Sequence, residues 1–132
     1  YALDYAIQYT AERQAFGKSL DTFQALRHKI AEMASRVEMC KEFNYSIAKK
    51  LNDGGYVVKE ASMSKLLSTK MADEVIYDAL QLLGGYGYME EYPMARLLRD
   101  SRLGPIGGGT SEILKEIIAK IVIDGKDYKP VT

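Results

Sequence analysis

Along this chain apolar residues return at three- and four-residue steps over long stretches, and short glycine-bearing breaks divide one stretch from the next. The clearest stripe is Phe23, Leu26, Ile30, Met33, Val37, Cys40, Ile47 and Leu51, with charged positions such as Arg27, Glu32, Arg36 and Lys41 between them. That spacing predicts a long helix with one core-facing side. Asp21 and Thr22 open it, and Asp21-x-x-Gln24 has the form of a capping box. NDGGY, Asn52 to Tyr56, ends it in a sharp turn. About thirty residues of helix span roughly 45 Å. A second stripe runs through Ala61, Leu66, Ser68, Ala72, Val75, Ile76, Ala79, Leu80 and Leu83 and predicts a helix from about Val58 to Leu83. Its small residues admit a close neighbour, and the short turn makes the two long helices antiparallel.

Ahead of these, Tyr1, Leu3, Tyr5, Ala6, Ile7 and Tyr9 predict a helix to about Arg13. Within the following segment ERQAFGKSLDT, Gly17 is the expected C-terminal stop. Behind them, the stretch Gln81 to Asp100 organises the rest of the chain. Gly84, Gly85 and Gly87 stop the helix and let backbone pass close to a neighbour, and Pro93 suits the first turn of a short helix, PMARLLRD. Arg102 to Gly109 reads as irregular. Thr110 or Gly109 then caps a last helix, TSEILKEIIAKIVI, with Glu112 near its positive N-terminal end. The sum is an all-α protein, a four-helix up-down bundle over residues 1–125 with a tail at 126–132.

Composition narrows the function. The 18 Lys and Arg balance the 18 Asp and Glu, which argues against a nucleic-acid or membrane-surface role. No apolar run is long enough for a membrane span and no signal peptide is visible, so a soluble protein of the cytoplasm, or of the mitochondrial matrix in a eukaryote, is expected. One cysteine, Cys40, and one histidine, His28, leave neither a disulfide framework nor a Cys- or His-based metal site. The chain starts at Tyr1, already in helical pattern and without a capping residue, and is read as a piece of a larger protein whose first helix begins earlier.

Several residues invite chemistry but have plainer readings. Cys40 falls on the core stripe and reads as a buried small hydrophobe, and His28 as a surface or interface residue. Glu90 and Glu91 read as solvent-facing rather than as a catalytic dyad, and Arg99 and Asp100 as members of structural ion pairs. Arg13 on spacing alone is a helix-ending cation over terminal carbonyls. Phe16 could plug the end of the bundle.

The strings ERQAFGK at 12–18, QLLGGYGYMEEYP at 81–93, RLLRD at 96–100 and GGTSEILKEIIAK at 108–120, together with Gln24, stand in an order and spacing that resemble the C-terminal helical domain of acyl-CoA dehydrogenases. The resemblance covers nearly the whole chain. It implies an FAD-dependent enzyme of the fatty-acid β-oxidation type that converts an acyl-CoA thioester to the 2,3-enoyl-CoA. In such enzymes a glutamate takes the α-proton, the β-hydrogen leaves as hydride to the flavin, and the electrons pass to an electron-transfer flavoprotein. A homotetramer with FAD across subunit boundaries is also implied. By the same resemblance Arg13 meets the FAD pyrophosphate of a neighbouring subunit, where a planar guanidinium suits phosphate oxygens. Phe16 packs on the cofactor, and Gln24 touches its site, although the capping box claims the same amide. Gln81, Gly84 and Gly85 lie along the adenosine half. Thr110 and Glu112 approach the flavin end of the subunit's own FAD, which ordinary helix capping also accommodates.

One departure alters the expected chemistry. The position that holds the catalytic glutamate in many members of the family is Gly108 here, within Gly107-Gly108-Gly109. No catalytic residue is therefore expected in this chain. The resemblance leaves two accounts: a base on the helix upstream of Tyr1, as in isovaleryl- and long-chain-type members, or a relative without dehydrogenase activity. Gly107 and Gly108 would leave room for a long or branched acyl chain. Alternatives are an acyl-CoA oxidase-type relative, or a non-catalytic helical assembly module. The piece alone is expected to be inactive and, through uncovered apolar surface, to self-associate.

Overall fold

The computed structural model describes residues 1–128 and is helical nearly throughout. In chain order come helix α1 (Ala2–Glu12), strands β1 (Gln14–Ala15) and β2 (Lys18–Ser19), a 3₁₀ turn at Leu20–Thr22, and helices α2 (Gln24–Asn52) and α3 (Val58–Leu83). A single helical turn α4 (Gly85–Tyr88), α5 (Pro93–Ser101) and α6 (Ser111–Val122) complete it. Among the described residues no helix is long and apolar enough to cross a membrane.

Helix α3 is the hub: α1, α2, α5 and α6 all pack against it. Ala6, Met33, Val75, Ala79, Leu82, Leu83 and Met94 form one buried cluster drawn from four helices. Alanines at Ala6 and Ala79 allow close approach, and flexible methionines at Met33 and Met94 fill the remaining space. The buried hydroxyl of Thr10 is satisfied by donating to the carbonyl of Ala6 at 2.9 Å. Cys40 is buried, as its place on the stripe implied, and His28 is exposed.

The long pair α2 and α3 is antiparallel. Lys29 reaches Asp78 at 2.5 Å, Arg36 reaches Glu74 at 3.4 Å and Lys50 reaches Glu60 at 2.5 Å, partners that run in opposite chain order. Such partly exposed pairs are worth roughly 0–1 kcal/mol each, so they set register more than stability. The Lys50 ammonium, with the backbone N–H of Glu60 second, holds the Glu60 carboxyl below its ordinary range. A carboxyl whose pKa is depressed on folding adds stability above the ordinary glutamate range and loses it as pH falls through the folded value. Glu60→Gln should therefore melt lower than wild type at pH 7, by under about 1 kcal/mol, and the two melting curves should converge in acid.

The sequence reading fails at the α1–α2 connection. Gly17 does not end a helix: α1 stops at Glu12 with Arg13 extended, and Gly17 (φ +79°) turns the small β1–β2 hairpin together with Phe16 (φ +53°). Two central residues at positive φ suit the twist of a tight hairpin. The capping box is also absent. Helix α2 begins at Gln24 behind Phe23, with no side-chain cap, while Asp21 sits in the 3₁₀ turn and accepts from the Ser19 hydroxyl at 2.6 Å. The far ends of both stripes overreach, since Leu51 and Ala61 are exposed beside the inter-helix turn and Ser62 is buried instead.

Other expected helix boundaries meet their elements. Helix α3 spans Val58–Leu83, Pro93 is the first residue of α5, and Thr110 caps α6 by accepting from the Ile113 N–H at 3.4 Å. Arg99 pairs with Glu90 and Arg96 with Asp100, all at the surface. At the expected tail, the Lys126 N–H bonds the Lys120 carbonyl at 3.0 Å and the Tyr56 hydroxyl donates to the Tyr128 carbonyl, while 129–132 lie outside the described residues.

Candidate functional site

The C-terminal end of α3 and the C-terminal end of α1 meet at one side of the bundle and enclose a cleft of about 640 Å³. Its apolar floor includes Leu20, Leu26, Leu82 and Met89. Four of the residues singled out in the sequence line it together: Arg13, Gln81, Gly84 and Gly85. Arg13 comes from a segment roughly seventy residues away from the others, so the cleft exists only once α1 has packed on α3.

Each of the four is positioned by a local rule. Arg13 is the first residue after α1, its N–H bonding the Tyr9 carbonyl and its carbonyl accepting from the Leu20 N–H, both at 2.9 Å. Its guanidinium does not cover helix carbonyls. It lies over the Tyr86 ring, 5.4 Å from the centroid, and it makes no ion pair among the described residues. Gln81, in the last turn of α3, is exposed at the cleft and lends its carbonyl to the Gly84 N–H at 3.1 Å. Gly84 ends α3 at φ +59°, ψ −133°, a conformation that L side chains with a Cβ avoid. A Cβ placed on Gly84 or Gly85 would meet nothing within 4 Å, so bare backbone faces open space.

The close backbone approach expected of the glycines is at Gly87. A Cβ there would stand 2.3 Å from the Leu80 carbonyl oxygen, because α4 folds directly back on the end of α3. This is what lets Tyr86 project at the cleft.

Phe16 and Gln24 are near the hairpin rather than in the cleft lining. Phe16 is 95% exposed and meets Phe23 edge-on at 6.3 Å, which excludes a plug in this bundle's core. Gln24 is exposed in the first turn of α2, and with no capping box its amide is uncommitted. Thr110 and Glu112 stand elsewhere. The loop before α6 is tied to α3 by the Lys65 ammonium on the Gly109 carbonyl, and Lys65 is on the order of 20 Å along α3 from Gln81. Glu112 is held below the usual carboxylate range by its own backbone N–H and then by the Thr110 hydroxyl, the expected behaviour of an acid in a first helical turn. The eight candidates therefore form a cleft group, a hairpin pair and an α6 pair. Gly108, beside the last, has φ +63° and open space where a Cβ would point. Among the described residues there is no cluster of metal-ligating side chains.

Two cleft residues were not foreseen. Tyr9 stood among the apolar positions of the first helix and Tyr86 among the glycines that follow Leu83, neither singled out, yet both line the cleft. Tyr9 donates to the Leu83 carbonyl at 3.3 Å, and burial pushes its hydroxyl pKa up against the lowering pull of Arg13. An aromatic flanked by glycines is the only signal the sequence carried for Tyr86.

Comparison with known proteins identifies the family. Residues 1–123 match the family described as acyl-CoA dehydrogenase, C-terminal domain. The chain is 40% identical over 124 residues to an acyl-CoA dehydrogenase of Bacillus subtilis, covering 94% of this chain and 33% of that protein. A solved acyl-CoA dehydrogenase from Geobacillus kaustophilus superposes with a TM-score of 0.91 at 39% identity, over 92% of this chain and 32% of that one. An FAD complex of PigA superposes with a TM-score of 0.86 at 34% identity, over 90% and 31%. The chain thus spans about a third of the length of the proteins it matches. With the family model matching residues 1–123 and a solved member superposing over 92% of the chain, the chain belongs to the acyl-CoA dehydrogenase family as its C-terminal domain.

Proposed function

We propose that this chain is the cofactor-holding and assembly domain of a longer FAD-dependent enzyme that oxidises acyl-CoA thioesters to 2,3-enoyl-CoA. The observation that carries the reading is the meeting of Arg13, Gln81, Gly84 and Gly85 in one cleft. Their chemistry fits a dinucleotide. Arg13 offers a guanidinium with no carboxylate partner, suited to a diphosphate. Gln81 offers an amide able to donate and accept, and the two glycines offer backbone that a flat ligand can approach closely. The FAD complex of PigA, on the same fold, supports this choice of cofactor. FAD, when bound, supplies the acceptor for the hydride lost by the acyl chain.

The chain's own residues would then bind and orient rather than transfer protons. Arg13, Gln81, Gly84 and Gly85 hold one cofactor, with Phe16 and Gln24 at its margin. Thr110 and Glu112, which do not line that cleft, face a second cofactor site in an assembled tetramer. Exposed apolar side chains such as Leu103, Ile106, Val122 and Ile123 supply surface for that assembly and for self-association of the isolated domain. The proton acceptor lies outside this chain, because Gly108 has no side chain to serve. The open space beside Gly108 leaves room at the acyl end of the site. An electron-transfer flavoprotein then takes the electrons. The test is whether the flavin of the full-length protein bleaches on addition of an acyl-CoA.

A further inference from the structure

Tyr86 lies between Gly85 and Gly87 in the single turn that closes α3, and its ring carries the Arg13 guanidinium at 5.4 Å. This is within the range of a cation–π contact. The ring is itself braced: Tyr92 stands 5.1 Å away on centroids, and Tyr9 meets it edge-on at 6.3 Å. Tyr9 is in turn fixed by its hydroxyl on the Leu83 carbonyl. Arg13 has its backbone held on both sides but no carboxylate and no side-chain hydrogen bond among the described residues. Without the ring, a long side chain at the exposed end of a helix would sample many rotamers. A guanidinium uses its flat face on an aromatic ring and its edge N–H groups on an anion, so the contact leaves its donors free.

We propose that Tyr86 is a positioning residue for Arg13, holding the guanidinium at the cleft so that its edge is presented to the diphosphate of the cofactor. The inference rests on the FAD reading of the cleft. It assigns a role to a side chain, where the glycines around it act through backbone.

The experiment is a fluorescence-quench titration of FAD into the flavin-stripped, full-length protein. Tyr86→Phe, which keeps the ring, should bind as wild type does. Tyr86→Leu and Tyr86→Met, which keep apolar bulk without the ring, should raise the Kd about 3- to 5-fold. In an Arg13→Ala background the same Tyr86 changes should have no further effect, because there is no cation left to hold. An equal loss in both backgrounds, or loss on Tyr86→Phe as well, would overturn the proposal and leave Tyr86 a packing residue. Arg13→Ala weakening FAD while Tyr86→Leu and Tyr86→Met bind normally would overturn it with the FAD reading intact. An unchanged Kd in Arg13→Ala would overturn both.

Discussion

Arg13→Ala in the full-length protein is expected to weaken FAD binding by on the order of 30-fold. The figure follows from removing one hydrogen-bonding cation from a diphosphate, roughly 2 kcal/mol. Because Arg13 has no carboxylate partner to strand, its removal should cost little stability. Affinity should fall while the melting temperature of the flavin-free protein stays within about 1 °C. Arg13→Lys should recover only part of the loss, since an ammonium keeps the charge but neither the fork nor the flat face that Tyr86 engages. Dialysis followed by the flavin-to-protein absorbance ratio reads the first effect directly. A ratio unchanged in Arg13→Ala would remove the cleft from the cofactor site.

Gly87→Ala should damage the fold where Arg13→Ala does not. The added methyl would sit 2.3 Å from the Leu80 carbonyl oxygen and 3.1 Å from its carbonyl carbon, and neither can yield while α3 keeps its last turn. Forcing the methyl in costs about 2–3 kcal/mol, as overpacking of a closed site does. The damage is local in origin but spreads to the cleft, since α4 carries Tyr86 and begins at Gly85, directly after Gly84. Gly87→Ala should therefore lower both the melting temperature and FAD retention. Full stability in this variant would show that α4 does not fold back as closely as described.

The contrast between these two positions shows what the sequence could and could not display. The long helices were legible because a 3.6-residue stripe is repeated over many turns and is bounded by strong punctuation, Asn52–Gly55 on one side and Gly84 on the other. Pro93 and Thr110 mark helix starts through chemistry that needs no partner element. The hairpin at Gln14–Ser19 was hidden because two-residue strands show no alternation, and because Phe16 holds a positive φ that its residue type disfavours. The capping box failed because Ser19 and the 3₁₀ turn supplied a local partner for Asp21 first. The cleft was half legible. Motif strings named Arg13, Gln81, Gly84 and Gly85, while their meeting depends on α1 packing against α3, which no local pattern states. Tyr9 and Tyr86 went unseen for the same reason: a tyrosine on an apolar stripe or among glycines acquires its role only from what lies across the interface.

Gly108 sharpens the chemical question. Its positive φ suits glycine, and a Cβ there would meet nothing within 4 Å. On the proposed reading the proton acceptor comes from elsewhere in the protein.

The deciding measurement is an anaerobic titration of the full-length protein with acyl-CoA thioesters of graded chain length, followed in the flavin absorption bands. The expected result is a yellow protein whose flavin bleaches with one class of acyl-CoA, with the reduced state persisting until an electron acceptor is added. A full-length protein that holds no flavin, or one whose bound flavin keeps its oxidised spectrum with every acyl-CoA, would contradict it.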